Sequence, residues 1–565
     1  MRTFLFLVCA GALVADDAYR KPSQAILDAL HTPPTPQISV SPSRDRVLLL
    51  QGVRYPPIAD LARPMLRLAG RRIDPGTNGP HAPSYYVGLT LKTIAGGAET
   101  TVTLPRAPRI AAPEWSPDGK QFAFTQTTDK GIELWAGDAA TGRARRLASG
   151  INAAYGDAVA WMPDSRRLLV QTIPAGRGPA PREPDAPAGP NIQESSGSAA
   201  PVRTYQDLLR SAHDEKLFDY YATTQWMLID AASGVAAPIG PRGIYQMATP
   251  SPDGRHLLVA RVVGPYSRLH PATMFPREVE VWEPSGRLEH KLASLPLAEA
   301  PIDGVAAGPR QYGWKPTEPA TLVWVEALDG GDPRRKAAHR DRVLTLKAPF
   351  GGAAAEFTRT EHRLQQIGWL EGEDAALVGD FDRNRRWTRR MLVKGGEVKT
   401  LASRNQGDRY RDPGTPVLRT LPSGHRAIRQ EEGAIFFEGN GASPSGDRPF
   451  LDRLDLASGK TERLFRSAAG GYEEVVALLD GGRFLTRRES RTEPGNYFVR
   501  GAGEEARPLT SFKDPAPQLR RIKKERVTYK RADGVQLSFT LYLPPDYKTG
   551  TRLPTVVWAY PREYT

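Results

Sequence analysis

The run His213-Asp214-Glu215 joins an imidazole to two carboxylates, a combination that could bind a metal ion or transfer protons. Side chains that are neighbours in sequence point in different directions, and no second histidine lies at the spacing of a metal ligand. We therefore expect these three residues to form the solvated start of a helix.

A second candidate, DFDRNRRWTRRM from Asp380, begins like a calcium-binding loop, with oxygen ligands at Asp380, Asp382 and Asn384. Arg385 stands where such a loop needs glycine, and Met391 stands where it needs the closing glutamate. The sequence also holds no phosphate-binding loop, dinucleotide fingerprint or zinc-spaced cysteine set. We therefore expect no metal and no cofactor.

Catalysis by a serine nucleophile of the hydrolase type needs the strand-to-helix turn Gly-x-Ser-x-Gly. That motif does not occur in the 565 residues, and the nearest match, GNGASPSGD from Gly439, has the wrong spacing. We expect this match to be a loop between strands and not the turn of a catalytic serine.

A recurrent turn organises most of the chain. Proline presets the first central turn position, Asp closes the turn by a local hydrogen bond, and Gly takes the exit, so each copy before alternating apolar residues predicts a β-hairpin. The copies are WSPDGKQFAF, WMPDSRRLLV, PSPDGRHLLV and WKPTEPATLVWV, with weaker forms at SPSRDRVLLL and WLEGEDAALV.

A second pattern alternates with the first: a strand that ends in Asp, then a turn of small residues that closes on Gly. Its copies are IELWAGDAATGRARRL, WMLIDAASGVAAPI and LDRLDLASGKTERLF, with a near relative at VEVWEPSGRLEHKL. One copy of each pattern supplies the turns of a four-stranded blade. The chain is therefore predicted to be mainly β, with an N-terminal β-propeller of seven blades over residues 36–515.

The alternative to a propeller is a β-sandwich, but repeated turns over so many residues favour the propeller. Residues 173–203 are rich in Pro, Gly and Ala and are predicted to be a loop inserted at its rim. The stretch TYQDLLRSAHDEKLFDYYA from Thr204 is predicted to form one or two short helices.

The chain changes character near its C-terminus. VTYKRADGVQLSFTLYL predicts a hairpin with an Asp533-Gly534 turn and one buried face, and LPTVVWAYP predicts a buried strand over residues 555–560. A hairpin, a loop and a buried strand are a plausible entry into an α/β domain, so residues 522–565 are predicted to begin a second domain.

An ordered set of stretches resembles the prolyl oligopeptidase family of serine peptidases, and more narrowly its glutamyl endopeptidase branch. The resemblance covers nearly all of the chain after its first residues. The stretches that carry it are RLAGRRIDPGTNGP, PNIQESSG, VRTYQDLL, HDEKLFDYYAT, PREVEVW, VEALDGGDP, RRIKKERVTYKRADGVQL, YLPPDY and LPTVVWAYP.

The resemblance implies an α/β-hydrolase domain behind the propeller, with the serine, aspartate and histidine of the triad beyond Thr565. The chain is thus expected to stop just inside its catalytic domain and to be inactive by itself. The family also implies a tyrosine hydroxyl in the oxyanion hole at the end of the early strand, a position that Tyr560 matches. The alternative for Tyr560 is an aromatic residue that only packs.

The N-terminus, MRTFLFLVCAGALVADD, has a basic start, an apolar stretch and small residues before Asp16, which predicts a signal peptide over residues 1–15 and a linker over residues 16–35. Cleavage there removes Cys9, the single cysteine, so we expect an exported, periplasmic or extracellular protein without disulfides. Its net charge of +14 is interleaved with acids and comes with no nucleic-acid motif, so we expect no nucleic-acid partner.

Two functions stay open at this stage. The first is a serine peptidase whose full-length form cleaves peptides, with a preference for glutamate implied by the resemblance and with the propeller restricting access. The second is an exported propeller that binds peptides or proteins without catalysis. The terminal segment favours the first, because a self-sufficient propeller has no use for an extra hairpin with unpaired edges. No segment predicts a membrane span.

Overall fold

The computed structural model describes residues 21–186, 189, 205–301, 303–501 and 503–559. The chain divides into two units, one formed by Pro34–Asp514 with Leu553–Thr565 and the other by Met1–Pro33 with Pro515–Arg552. Each is described by itself. None of the helices among these residues is long and apolar enough to cross a membrane.

The large unit is a β-propeller built from antiparallel four-stranded blades that follow one another along the chain. Blades 1 and 2 are joined by one bridge, between Tyr86 and Ile110, and blades 3 and 4 share a long strand. The strands of blades 1 to 4 are Gln37–Val40, Arg46–Gly52, Tyr86–Thr93 and Glu99–Thr101; Ile110–Trp115, Gln121–Thr128, Gly131–Asp138 and Ala144–Ser149; Val159–Trp161, Arg167–Thr172, Thr224–Asp230 and the first part of Ala236–Pro250; the last part of Ala236–Pro250, Leu257–Val262, Arg277–Trp282 and Leu288–Leu295.

The second half of the ring continues in the same way, except that the first strand of blade 7 is interrupted. The strands of blades 5 to 8 are Arg310–Trp314, Thr321–Ala327, Asp341–Lys347 and Ala355–Thr360; Arg363–Trp369, Ala375–Asp382, Trp387–Lys394 and Glu397–Asn405; Thr415–Pro416 with Gln430–Glu431, Ala434–Gly439, Phe450–Asp455 and Thr461–Arg466; Tyr472–Leu478, Phe484–Glu489, Asn496–Arg500 and Arg507–Pro508.

Over the described residues the ring therefore has eight blades, and the predicted number of seven is wrong. The turn between the first two strands of blade 8 is Asp480-Gly481-Gly482, and it has neither the proline nor the tryptophan of which every other copy has at least one. The first strand of blade 7 is split by an insertion, so it lacks the pattern as well. The propeller prediction itself is confirmed.

The core lies between the blades, because a strand sends alternate side chains to opposite faces of its sheet. In Arg46–Gly52, Leu48 and Leu50 pack against blade 2, while Val47 and Leu49 pack against blade 8. Equivalent clusters fill every interface between consecutive blades. A strand buried on both faces reads as a continuous apolar run, which explains why each second strand does so.

The predicted turns are confirmed. In blade 2, the Ser116 hydroxyl donates to Asp118 at 2.7 Å, and Gly119 takes a φ of +71° that favours glycine. In the second pattern, the Asp138 carboxylate accepts from the backbone N–H of Thr141 at 2.7 Å. The local hydrogen bonds that the sequence suggests are thus the bonds that close the turns.

The ring closes without a shared strand. Among the described residues, no strand of blade 1 pairs with blade 8, and the joint is made by side chains such as Val47, Leu49, Leu485 and Val499. Arg507 adds a 2.7 Å hydrogen bond from Nη2 to a backbone carbonyl of blade 1.

Insertions cluster at the end of the ring where the second and third strands connect. They comprise the three-stranded sheet Leu66–Leu68, Arg71–Asp74 and Gly79–Pro80, the helices Ile58–Leu61 and Ala212–Ala222, and the 3₁₀ turns Ala272–Met274 and Arg409–Arg411. Leu68, Ile73, Phe218 and Phe275 form a second apolar cluster there. Helix Ala212–Ala222 lies inside the stretch predicted to be helical, whereas residues 205–211 are not helical.

The small unit contains the helix Gln24–His31, the 3₁₀ turn Pro517–Arg521 and the hairpin Lys523–Lys530 with Gln536–Leu543. Gly534 in its turn has a φ of +86°, so the predicted Asp533-Gly534 hairpin is present. Its apolar face is not buried, since Phe539 is 49% exposed.

The predicted strand over residues 555–560 is not formed in the described part, residues 555–559. Val556 and Trp558 are 93% and 86% exposed. A strand needs hydrogen-bonding neighbours, and these residues pair with no other described strand, so β-propensity alone does not order them.

Candidate functional site

Tyr560, the predicted oxyanion-hole residue, lies outside the described residues, and its role stays a prediction. The other candidate residues are among those that the structure describes. His213 sits in the first turn of helix Ala212–Ala222, where the Ser211 hydroxyl accepts a hydrogen bond from the Asp214 N–H at 3.2 Å. Glu215 pairs with Arg268 at 2.8 Å. These residues begin a helix, as predicted, and among the described residues no group of three or more metal-binding side chains is assembled.

The calcium-like run around Asp380 is part of a blade. Asp380 is buried and accepts hydrogen bonds from Arg389 Nε at 3.0 Å and Nη2 at 2.6 Å, as well as from the His362 N–H. Asp382 caps the following turn through the N–H of Asn384. Both carboxylates are thus engaged in bonds within the blade.

The serine of the Gly439 loop is also structural. Ser443 donates to the backbone carbonyl of Gly446 at 2.6 Å, inside the connection between the second and third strands of blade 7. The described residues contain one serine–histidine pair that the sequence gave no reason to expect: Ser267 Oγ lies 3.1 Å from His270 Nδ1. Ser267 also accepts from the Leu269 N–H, which makes this a local turn, and no described carboxylate bonds to the His270 ring.

The most distinctive feature of the large unit lies on its axis. The first strand of blade 7 is formed by Thr415–Pro416 and Gln430–Glu431, which both pair with Ala434–Gly439. Between them the chain leaves the sheet and forms a hairpin from Leu418–Thr420 and Arg426–Ile428. We call residues 418–428 the axial hairpin.

The tip of the axial hairpin reaches blades on the far side of the ring. His425 Nε2 donates to the Pro250 carbonyl of blade 4 at 2.9 Å, and a Cβ on Gly424 would lie 3.0 Å from Pro117 Cγ of blade 2. Burial lowers the pKa of His425, so its ring is neutral at physiological pH. The tip therefore crosses the axis at the end where the first and second strands of the blades connect.

Two open cavities flank the tip. One, of about 620 Å³, is lined by turns of blades 3 to 6, and the other, of about 520 Å³, by turns of blades 1, 2, 6 and 8. Leu421 and Pro422 contribute to both walls. Because a propeller surrounds a central channel, the hairpin occupies the middle of one channel mouth.

Ion pairs hold the base of the hairpin. Arg419 donates to Glu371 of blade 6 and to Glu431, each at 2.9 Å. Arg429 is 1% exposed and donates to the backbone carbonyls of Leu478 and Leu479 in blade 8. A charged group this deeply buried must be fully paired, so these bonds fix the hairpin relative to its neighbours.

The described walls of these two cavities hold no serine paired with a histidine ring. The larger cavity is lined mainly by turn prolines and by carboxylates such as Asp164, Asp253 and Glu318, and the smaller one also by Arg44 and Arg419. The axial hairpin is not predicted above, although LPSGH between two short apolar stretches is a turn signal that could have indicated it.

Comparison with known proteins gives a consistent assignment, although no family model matches the chain. The chain is 38% identical over 97% of its length to a protein of Oryza sativa subsp. japonica described as a probable glutamyl endopeptidase, chloroplastic, and 36% identical over 98% of its length to a protein of Arabidopsis thaliana with the same description. It spans 62% of the length of each. Among solved structures, an acylaminoacyl peptidase in complex with Z-Gly-Gly-Phe-chloromethyl ketone matches 92% of this chain and 59% of its own, with 14% identity and a TM-score of 0.40.

Proposed function

The chain belongs to the prolyl oligopeptidase family of peptidases, and on that premise we propose that the full-length protein is a serine peptidase that cleaves peptides after glutamate. The observation that carries the proposal is the identity of 38% over nearly the whole chain to a relative described as a glutamyl endopeptidase. In this proposal the nucleophile, acid and histidine are supplied by sequence outside the 565 residues, and Tyr560 donates to the oxyanion.

The geometry of the ring supports a role in controlling which peptides enter the channel. Its channel mouth is narrowed by the axial hairpin, which leaves two cavities of about 620 and 520 Å³. A folded domain does not fit such openings, whereas an extended chain does. We propose that the propeller admits short or unfolded peptides and excludes folded proteins.

A labelling experiment tests the peptidase proposal. The protein isolated from its source and the 565-residue chain are treated with a fluorophosphonate, which reacts with activated serines. The expected result is one labelled serine in the isolated protein, cleavage after glutamate in a mixture of peptides, and no labelling of the 565-residue chain. Absence of labelling in the isolated protein, or a labelled serine within residues 1–565, contradicts the proposal.

The second candidate is a peptide-binding propeller without catalysis. It is favoured by the lack of a Gly-x-Ser-x-Gly motif in these 565 residues. The same experiment separates the two, because a binding module from the natural source would retain peptides and take no fluorophosphonate label.

We also propose that the protein is exported. The support is the sequence of residues 1–15, with its basic start, apolar stretch and small residues. N-terminal sequencing of the natural protein is expected to begin at Asp16, and a start at Met1 contradicts export by this route.

A further inference from the structure

One half-buried arginine of the ring has no ion-pair partner among the described residues. Arg390 lies in the third strand of blade 6, and its Cζ is 5.1 Å from the centre of the Phe437 ring in blade 7. Its Nη1 is fully buried without a hydrogen-bond partner, and no described residue forms an ion pair with it. An unpaired buried cation is costly, so its presence calls for a compensating group.

The charges around Arg390 are already engaged with one another. Arg389, the preceding residue, is held by Asp380 and Glu361. Arg404 pairs with Asp412 at 3.0 Å and donates to three backbone carbonyls. Burial lowers the pKa of Arg390, the Asp412 carboxylate raises it, and the Arg404 charge lowers it further. Asp380, Glu361 and Asp412 are thus each bound to another arginine, and within the described part of the chain Arg390 is the arginine of this group without a direct ion-pair partner.

The space beside Arg390 is open and polar. A pocket of about 170 Å³ crosses the blade at this level, and its wall includes Gln366, Thr388, Arg404 and Gln406. Gln366 lies on the first strand and is exposed, so the pocket reaches the inner wall of the ring.

The sequence of the blade explains why this space is not filled. Strand register places Gln366, Gly379, Arg390 and Ala402 in one row across the four strands. Gly379 and Ala402, on either side of the arginine, carry little or no side chain. Elsewhere in the same interface, Leu377, Leu392 and other apolar side chains fill the gap between blades 6 and 7.

We propose that this space, the Arg390 pocket, binds the carboxylate of an acidic side chain on a peptide held in the ring. A guanidinium presents its N–H groups in a planar fork that matches a carboxylate, and the glutamine and threonine side chains offer further hydrogen bonds. The volume of about 170 Å³ accommodates an aspartate or glutamate side chain.

The inference rests on the proposed function in that it supposes peptides to enter the ring. It goes further by naming a residue of the propeller that selects among them. Peptide binding in the Arg390 pocket needs no nucleophile. The binding test can therefore fail while fluorophosphonate labelling succeeds, or succeed while the labelling fails, so the two proposals are tested separately.

The test compares two blocked alanine-based peptides that differ at one position, glutamate in one and glutamine in the other, in titrations against the 565-residue chain. We expect the glutamate peptide to bind at least about tenfold more tightly, which is 1.4 kcal/mol. In Arg390→Met the two peptides are expected to bind equally, whereas Arg390→Lys retains part of the preference. The matched control is Arg334→Met, which removes a 75% exposed arginine that already pairs with Asp332 and is expected to leave the preference unchanged.

Two further measurements keep the test decisive. Urea unfolding of Arg390→Met is expected to show stability at least equal to that of the original chain, because the substitution removes a half-buried charge that has no direct partner. Inorganic phosphate at matched ionic strength is expected to compete only weakly with the glutamate peptide. Equal binding of the two peptides, no binding of either, a preference that survives Arg390→Met, or strong displacement by phosphate would each overturn the assignment.

Discussion

Glu438, near the end of the second strand of blade 7, offers a sharp test of the electrostatics of the ring. No described residue donates a hydrogen bond to its carboxylate, and burial together with repulsion from Glu474 raises its pKa to about 7. Glu474 is compensated by Arg487, with which it pairs at 3.6 Å. We predict that Glu438→Gln stabilises the protein at alkaline pH and not at acid pH.

The expected change in the free energy of unfolding follows from the pKa shift of Glu438. Raising the pKa from 4.5 to about 7 corresponds to about 3.4 kcal/mol at most, at 1.36 kcal/mol for each unit. The side chain is partly exposed, and solvent screening reduces this to about 1–2 kcal/mol. The folded state holds its proton more tightly than the unfolded state, so stability is greatest below 4.5 and falls as the pH rises to about 7.

The assay is urea unfolding of Glu438→Gln and of the original chain at about pH 5 and about pH 8. The variant is expected to gain about 1–2 kcal/mol relative to the original at the higher pH and much less at the lower pH. Glu432→Gln is the control, because that side chain is 92% exposed and its replacement is expected to have the same effect at both pH values. An equal effect of Glu438→Gln at both pH values would refute the reasoning.

Three further predictions concern single contacts. Gly286→Ala is expected to lower the free energy of unfolding, measured in urea, by more than about 2 kcal/mol, because the new Cβ would lie 1.9 Å from the backbone nitrogen of Gly240. The control is Gly433→Ala, whose Cβ would meet no atom within 4 Å. It is expected to lose only about 1–2 kcal/mol, from the strain of alanine at a positive φ. Asp380→Ala is expected to cost about 2–3 kcal/mol in the same assay, because Arg389 loses its buried partner and the His362 N–H loses its acceptor. Asp129→Ala, which removes an 86% exposed carboxylate, is expected to cause a far smaller change. Burial lowers the pKa of His425, so the stability that its neutral ring contributes is present above the unfolded pKa of 6.5 and is lost as the pH falls through the lowered folded pKa. Hydrogen exchange in the axial hairpin, corrected for intrinsic rates, is therefore expected to rise on acidification and to stay flat in His425→Gln.

Much of the propeller could be predicted because its turns are local. The Ser116 and Asp138 turns close through hydrogen bonds within a few residues, so their chemistry is visible in sequence. The alternation of the two turn patterns then gives the four-stranded blade. The hairpin around Asp533-Gly534 was predictable for the same reason.

What the sequence did not reveal depends on contacts between distant residues. The eighth blade was missed because its first turn is Asp-Gly-Gly and the inner strand of blade 7 is interrupted. The position of the axial hairpin depends on contacts with Pro117 and Pro250, which lie far from it in the sequence. Arg390 resembles any other residue of a basic run until the register places it beside Gly379 and Phe437.

The joint between blades 8 and 1 has a consequence for how the ring is assembled. Seven interfaces join neighbours along the chain and can form one after another as the polypeptide leaves the ribosome. The last joins Arg507 to Ile94 across 413 residues, and by polymer statistics closing a loop of that length costs about 5 kcal/mol in chain entropy. No shared strand offsets that cost, so the apolar cluster of Val47, Leu485 and Val499 must do so. We therefore expect closure to be the slow, late step of folding and the same joint to be the first to part under force.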